Sequence, residues 1–316
     1  MNTVQGTAPS DLRQFSLEGV DGMVVPDDAP VAPRFIQNLK ESVKAGVRGE
    51  ESERIYSKSK ELVQQGKFLE LTLLERCDAT WQSYIYNLPR GTMKFILNAS
   101  LDTLPSKANL KVWVKCGSAK CALCSQVETL NHVISSCPVA LRQLRWNYRY
   151  DSLLHYLGQV LDKDKFEVYI DIAGQQTTAL GTLPPDIVVS PLKPDCVVVD
   201  RANKEITLFE LTCPGMTQLD SANRRKLEKY QHFERDISSF KVQVTPFEVE
   251  AATGHLNTRN KLNIKKLHRF VKKGTSLKLF TKNVSAIVAM ASYFLWNCRN
   301  NKEWISPRYI EAPFKI

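Results

Sequence analysis

The stretch Lys193–Pro214, KPDCVVVDRANKEITLFELTCP, decides how this chain is read. Two β-branched and aromatic runs, DCVVVD and EITLFELT, flank a polar Arg-Ala-Asn-Lys, the pattern of two strands joined by a turn. With the turn centred on Ala202 and Asn203, antiparallel partners have numbers summing to about 405. That sets Val199 against Ile206, Val197 against Leu208 and Asp195 against Glu210. Opposed carboxylates repel across a strand pair unless a cation stands between them, so this register asks for a divalent ion. Hard oxygen donors favour Mg²⁺ or Mn²⁺. Both faces of the hairpin are apolar, which predicts a central strand pair covered on both sides.

Metal-assisted hydrolysis of a phosphodiester gains from a cation and an ammonium group beside the reacting phosphate. In the pattern of two acids and a lysine, the lysine stands two positions after the second acid, where this chain has Thr212. A helix expected from Asp220 to Phe240 carries Lys226, Tyr230, Phe233 and Ile237 on one face. Lys226 is the expected catalytic ammonium, with Lys229 next to it in order of preference. Asp186, in PPDIVV, is a competing first acid but lies too far along the chain from Glu210 to share one hairpin. The plainer alternative makes Asp195 and Glu210 solvated strand ends.

Around the hairpin, FEVYIDIAG, DIVVS and FKVQVTPFEVEA carry the same strand signature, and with the intervening helix they predict an α/β layer. Upstream the period is helical. ESERIYSKSKELVQQG and the apolar run after it predict two helices, followed by a third over about Gly91–Ser100 and a short one over Asp151–Leu161. The proline-rich VVPDDAPVAP at 24–33 predicts a disordered arm before about Phe35.

Four of the eight cysteines crowd one region, and CALCSQVETLNHVISSC spells Cys121-x2-Cys124-x7-His132-x4-Cys137. Three thiolates and one imidazole select zinc, and four protein ligands leave no open position, so the site is expected to be structural. Cys116 is a second-ranked ligand. Unrelated buried cysteines around a core histidine are the alternative. The expected effect of chelation is melting of about Leu110–Arg145 with the downstream sheet left intact.

Lys plus Arg total 43 against 33 Asp plus Glu, a net charge of +10. Nine basic residues and no acid fall between Leu256 and Asn283. Within that stripe Lys265, Lys266, Arg269, Lys272 and Lys273 are candidate phosphate contacts. Arg145 and Arg149, interleaved with Trp146, Tyr148 and Tyr150, are further nucleic-acid candidates, and a solvated helix face or plain core is the alternative for each set. The longest apolar run, near Val284–Trp296, is too short for a membrane span, so an intracellular protein with no membrane partner is expected.

Together, RGTMKFILNASLDTLPSKANLKVW (Arg90–Trp113), the Cys-Cys-His-Cys knuckle and the acid hairpin resemble the C-terminal region of non-LTR retrotransposon polyproteins that carry a restriction-like endonuclease. The likeness covers roughly Tyr56–Ala251. It implies a zinc knuckle followed by a nuclease of the PD-(D/E)xK superfamily, with a mixed sheet flanked by helices. Asp195 and Glu210 would hold the catalytic metal, and Lys226 would be the displaced lysine. It also implies DNA as substrate, the element's RNA as a further partner and a nuclear location. The chain departs from the family in having no aromatic-x-Asp-Asp polymerase motif, since VPDD at Val25–Asp28 sits in the proline-rich arm. The expectation is a remnant or fragment that nicks DNA and does not polymerise. A catalytically silent zinc-containing nucleic-acid binder is the first alternative, and a zinc-stapled interaction module the second.

The expected organisation is an arm over 1–34, a helical linker region over 35–109 and the knuckle region over 110–160. A nuclease core over 161–255 and basic and apolar C-terminal helices over 256–316 follow.

Overall fold

The computed structural model describes residues 33–62, 66, 84–172, 186–188, 192–233, 237 and 239–315. The arm expected before residue 35 falls almost wholly outside them, as do 68–83 of the apolar helix expected over 68–88 and the last two residues of DIVVS. The chain divides into two compact units, Met1–Ile55 and Tyr56–Ile316. Helix α1 (Pro33–Lys60) runs across that division, and everything below concerns the second unit.

A four-stranded mixed sheet lies at the centre of this unit, in the order β1 (Glu167–Ile170), β2 (Cys196–Asp200), β3 (Glu205–Thr212), β4 (Lys241–Glu248). The first two pairings are antiparallel and the third is parallel. Val197 faces Leu208 and Val199 faces Ile206, the register that the hairpin spacing predicts. Asp200 shapes the turn by accepting from the Asn203 amide (3.0 Å), and Lys204 takes the left-handed backbone (φ 51°) that lets the strands close. Parallel pairing needs a crossover, which helix α6 (Leu219–Tyr230) supplies between β3 and β4.

The sheet is buried on both faces, as a strand pair apolar on both sides demands. Val197, Val199, Ile206 and Leu208 pack against Tyr230, Phe233 and Ile237. Cys196, Val198, Phe209 and Leu211 pack on the opposite side against α5 (Asn147–Val160), α7 (Thr258–His268) and α8 (Leu277–Asn297). The last two helices start on side-chain caps, Asn257 accepting from Asn260 N (2.9 Å) and Ser276 from Leu279 N (3.2 Å). The apolar run near Val284–Trp296 is buried support within α8. No helix among the described residues is long and apolar enough to cross a membrane.

The knuckle region is built into this core. Helix α2 (Arg90–Ser100) contributes Phe95, Ile96 and Ala99 to a cluster that also holds Leu130, Val133, Ile134, Ala251 and Ala286. Residues from the cysteine-rich segment, the chain after β4 and α8 therefore share one apolar contact. Short helices α3 (Lys107–Val112) and α4 (Pro138–Arg142) bracket the cysteines.

Candidate functional site

Asp195 precedes β2 and Glu210 lies within β3, and the register carries them to the same end of the hairpin. Asp195 N donates to Glu210 Oε1 (3.3 Å), and Leu211 N donates to Asp195 Oδ2 (2.7 Å), so each carboxylate is fixed by the opposing backbone. Lys226 reaches both from α6: Nζ lies 2.5 Å from Glu210 Oε2 and 3.4 Å from Asp195 Oδ2. Glu210 is wholly buried. Two acids expected around a cation thus surround an ammonium, drawn from the helix that the spacing singled out. Lys229, one turn on, is exposed, with Nζ 4.6 Å from the Tyr230 ring centroid. Asp186, the competing acid, sits in a turn and pairs with Arg201 (2.8 Å) at the opposite end of the hairpin.

The electrostatics follow from burial. Desolvation, then repulsion from Glu210, pushes the Asp195 carboxyl up to about 7, against the pull of Lys226. Burial works against the Lys226 ammonium, but the two acids outweigh it and hold its pKa above the usual lysine value. Tyr150, from α5, lies close enough to Asp195 to favour its ionised form, and Tyr230, near Glu210, donates its hydroxyl to Lys193 O (3.3 Å). Desolvation raises both phenols well above their ordinary values, so they stay protonated.

A cleft of about 570 Å³ opens at this place, lined among others by Tyr150, Asp151, Asp171, Leu211, Thr212 and Lys226. Burial, with Asp171 nearby, raises the Asp151 carboxyl to about 6. Neither Tyr150 nor Asp151 stands out as part of this site in the sequence. No local pattern could reveal them, because α5 meets the hairpin only through tertiary packing.

The ligand atoms of Cys121, Cys124, His132 and Cys137 all lie within 4.8 Å of one another, close enough to share one metal ion. The donor set fits zinc: three sulfurs and one imidazole, two of them from a Cys-x2-Cys turn. Leu123 N donates to Cys121 Sγ (3.4 Å), and Ser125 adopts φ 62° to turn the chain back. His132 and Cys137 are five apart, one residue too many for an α-turn. The chain meets this with a π-helical turn over His132–Ser136, which brings both to one side. Burial lowers the His132 pKa, partly countered by Glu128, and so favours the neutral imidazole that ligates metal. Cys116 lies outside the cluster, its thiol directed at Lys107 O (3.6 Å) and Ser118 O (3.2 Å).

Two of the expected nucleic-acid contacts are corrected. Arg145 and Arg149 are each 3% exposed, and their guanidinium groups are engaged by main-chain carbonyls. Arg145 donates to the carbonyls of Cys298 (3.0 Å) and Asn301 (2.5 Å). Arg149 donates to Ile134 O (3.1 Å), Ser292 Oγ (3.1 Å) and Cys213 O (3.1 Å). Both bind main-chain carbonyls from separate parts of the chain, a role that the planar fork of donors suits. Arg149 ties the π-helical turn of the knuckle to the chain just after Thr212. Gly215 adds a second tie, since a Cβ there would run into the Asn131 side chain.

Of the basic stripe, Lys265, Arg269, Lys272 and Lys273 are exposed and Lys266 is half-buried. Lys272 reaches Gln159 O (3.1 Å), nine residues along α5 from Tyr150. At 1.5 Å per residue the stripe stands on the order of 14 Å along α5 from the acids.

No protein-family model matches this chain, and no curated protein matches it.

Proposed function

We propose that this protein is a divalent-metal-dependent DNA endonuclease whose catalytic centre is Asp195, Glu210 and Lys226, behind a structural zinc knuckle. The carrying observation is the convergence of two buried carboxylates on one lysine at the open end of a strand pair. Asp195 and Glu210 would hold Mg²⁺ or Mn²⁺, which when bound supplies a Lewis acid for phosphodiester hydrolysis. Lys226, freed from part of its present pairing, meets the developing charge on the phosphate or orients the attacking water. Tyr150 holds the Asp195 carboxylate in place. The 570 Å³ cleft beside them leaves room for a phosphate to enter.

The order of a Cys₃His cluster before this hairpin supports a PD-(D/E)xK core descended from the endonuclease segment of non-LTR retrotransposon proteins, acting in the nucleus. Plasmid nicking tests the reading. Wild type in Mg²⁺ converts supercoiled plasmid to open circles, and Asp195→Asn and Glu210→Gln each lower the rate by at least about a hundredfold. Equal rates in the variants, or none in wild type, overturn it.

A second reading, a catalytically silent nucleic-acid binder, is favoured by one observation: the Lys226 ammonium, shared between Glu210 and Asp195, is itself a counter-charge to the pair. Salt-dependent DNA binding with no nicking by wild type is the outcome that selects it.

A further inference from the structure

Helix α3 ends in a way that costs free energy without any local return. Lys115 N donates to Leu110 O (2.8 Å) and Val114 N to Lys111 O (3.0 Å), the paired bonds of a Schellman cap. The position between them takes the left-handed conformation and normally belongs to glycine; here it is Val114, at φ 58°. A β-branched residue in that region is a true outlier, and strain of this kind concentrates where function requires it. Asp102 closes α2 with the same backbone turn, but its short polar side chain tolerates the conformation.

Strain at Val114 serves no packing. Val114 is 91% exposed, Val112 78% and Trp113 41%, three apolar neighbours forming one projecting tip. The tip stands on a rigid base. Ser106 caps α3, Asn109 Nδ2 bonds Asp102 O (2.8 Å) and Leu104 O (2.9 Å), and Lys107 N donates to the buried Glu128 (3.2 Å) of the knuckle. The chain that carries it is basic. Between Thr103 and Val127 there are four lysines, Lys107, Lys111, Lys115 and Lys120, and no acid. The Lys115 ammonium lies 6.0 Å from the Trp113 ring centroid.

We propose that Val112, Trp113 and Val114 form an apolar wedge that inserts between or against the bases of DNA, with Lys111, Lys115 and Lys120 on the flanking phosphates. Charge complementarity selects the occupant: a rigid apolar tip alone fits a protein groove, but a tip on a lysine-bearing, acid-free stretch fits stacked bases bordered by phosphates. The inference rests on the nuclease reading for the choice of polyanion, and its readouts do not depend on cleavage.

The test uses the full zinc-loaded chain without added divalent ion and a labelled duplex carrying a fluorescent adenine analogue. Wild type is expected to bind and to raise the analogue's fluorescence by unstacking it. Trp113→Ala is expected to weaken binding at least about fivefold and abolish the rise. Val114→Gly, which relieves the left-handed strain, is expected to melt no lower than wild type yet bind more weakly. Lys111→Ala and Lys115→Ala each reduce the salt slope by about one. Wild-type affinity and unstacking in both Trp113→Ala and Val114→Gly overturn the wedge, whether or not the protein nicks plasmid. Binding to anionic vesicles with none to DNA overturns it in favour of a lipid surface. Unstacking without nicking retains the wedge and removes the nuclease.

Discussion

Cys121, Cys124, His132 and Cys137 are drawn from one short run of chain, whereas Asp195, Glu210 and Lys226 meet only after a strand pair has closed and a crossover helix has folded over it. The first cluster offers soft sulfur and has no position left for a substrate once a metal is shared. The second offers hard oxygen, opens on a cleft and carries its own ammonium. On the proposed reading, one holds the chain together and the other exchanges its occupant. Local construction gives a closed site; tertiary construction gives an adjustable one.

The comparison also shows that the two are not independent. Arg149 spans from Ile134 O, within the knuckle, to Cys213 O, three residues beyond Glu210. Leu130, Val133 and Ile134 share a core cluster with Ala251 and Ala286. The sharpest way to break the contrast is therefore Cys124→Ala, or chelation. Structural zinc sites contribute on the order of 10 kcal/mol in peptides, so the midpoint of thermal unfolding is expected to fall by more than about 10 °C. In place of the confined melting expected from sequence, hydrogen exchange is expected to quicken both in the knuckle and at Thr212–Gly215. Protection lost in the knuckle alone would show the two sites to be uncoupled.

Lys226→Met is the next largest effect. It leaves two buried acids facing each other, a loss of about 3 kcal/mol by denaturant unfolding. Added Mg²⁺ or Mn²⁺ is expected to restore much of that stability in the variant, by more than it stabilises wild type. An unchanged unfolding midpoint, or no rescue, would mean that the acids do not need a cation.

Much of this second cluster was legible because strand pairing obeys arithmetic. A turn at Ala202 and Asn203 fixes which residues oppose, and the observed pairing follows it. The Cys121, Cys124, His132 and Cys137 cluster was legible because its spacing is a local constraint. The burial of Arg145 and Arg149 is not legible because a sequence shows that an arginine neighbours aromatics, not that distant main-chain carbonyls fold over to meet it. Tyr150 and Asp151 were invisible as site residues for the same reason: only the packing of α5 on the sheet brings them to Asp195 and Lys226. The π-helical turn at His132 is not legible because a five-residue step to Cys137 does not by itself specify which kind of turn closes it.

Tyr150→Phe sharpens the picture at smaller scale. The phenol stabilises the ionised Asp195 carboxylate, so its loss moves that carboxyl further above about 7. A metal must displace the proton, so the acid limb of the Mg²⁺-dependent rate profile is expected to move to higher pH while the alkaline plateau is retained. Stability has the opposite sign. Because the folded-state pKa is about 7 and the unfolded value about 4, the folded chain binds more protons between those pH values. Asp195 therefore contributes less stability as pH rises through that window. A rate profile unmoved by Tyr150→Phe would separate the phenol from the site.

The smallest effect is expected from the basic stripe. Charge reversal at Lys272 and Lys273 is expected to lower DNA affinity uniformly across sequences and reduce the salt slope by about one per lysine. The nicking rate at saturating DNA stays the same, because these residues stand well away from the acids. A selective loss of turnover would place the stripe closer to the chemistry than the fold allows.

The central claim is that Asp195 and Glu210 form one divalent-cation site. Calorimetric titration of Mn²⁺ into zinc-loaded protein at pH 7.5 tests it most directly, with Glu210→Gln alongside. One site in wild type, lost in Glu210→Gln, is the expected result. Equal Mn²⁺ binding by both proteins, or none by wild type, would contradict it.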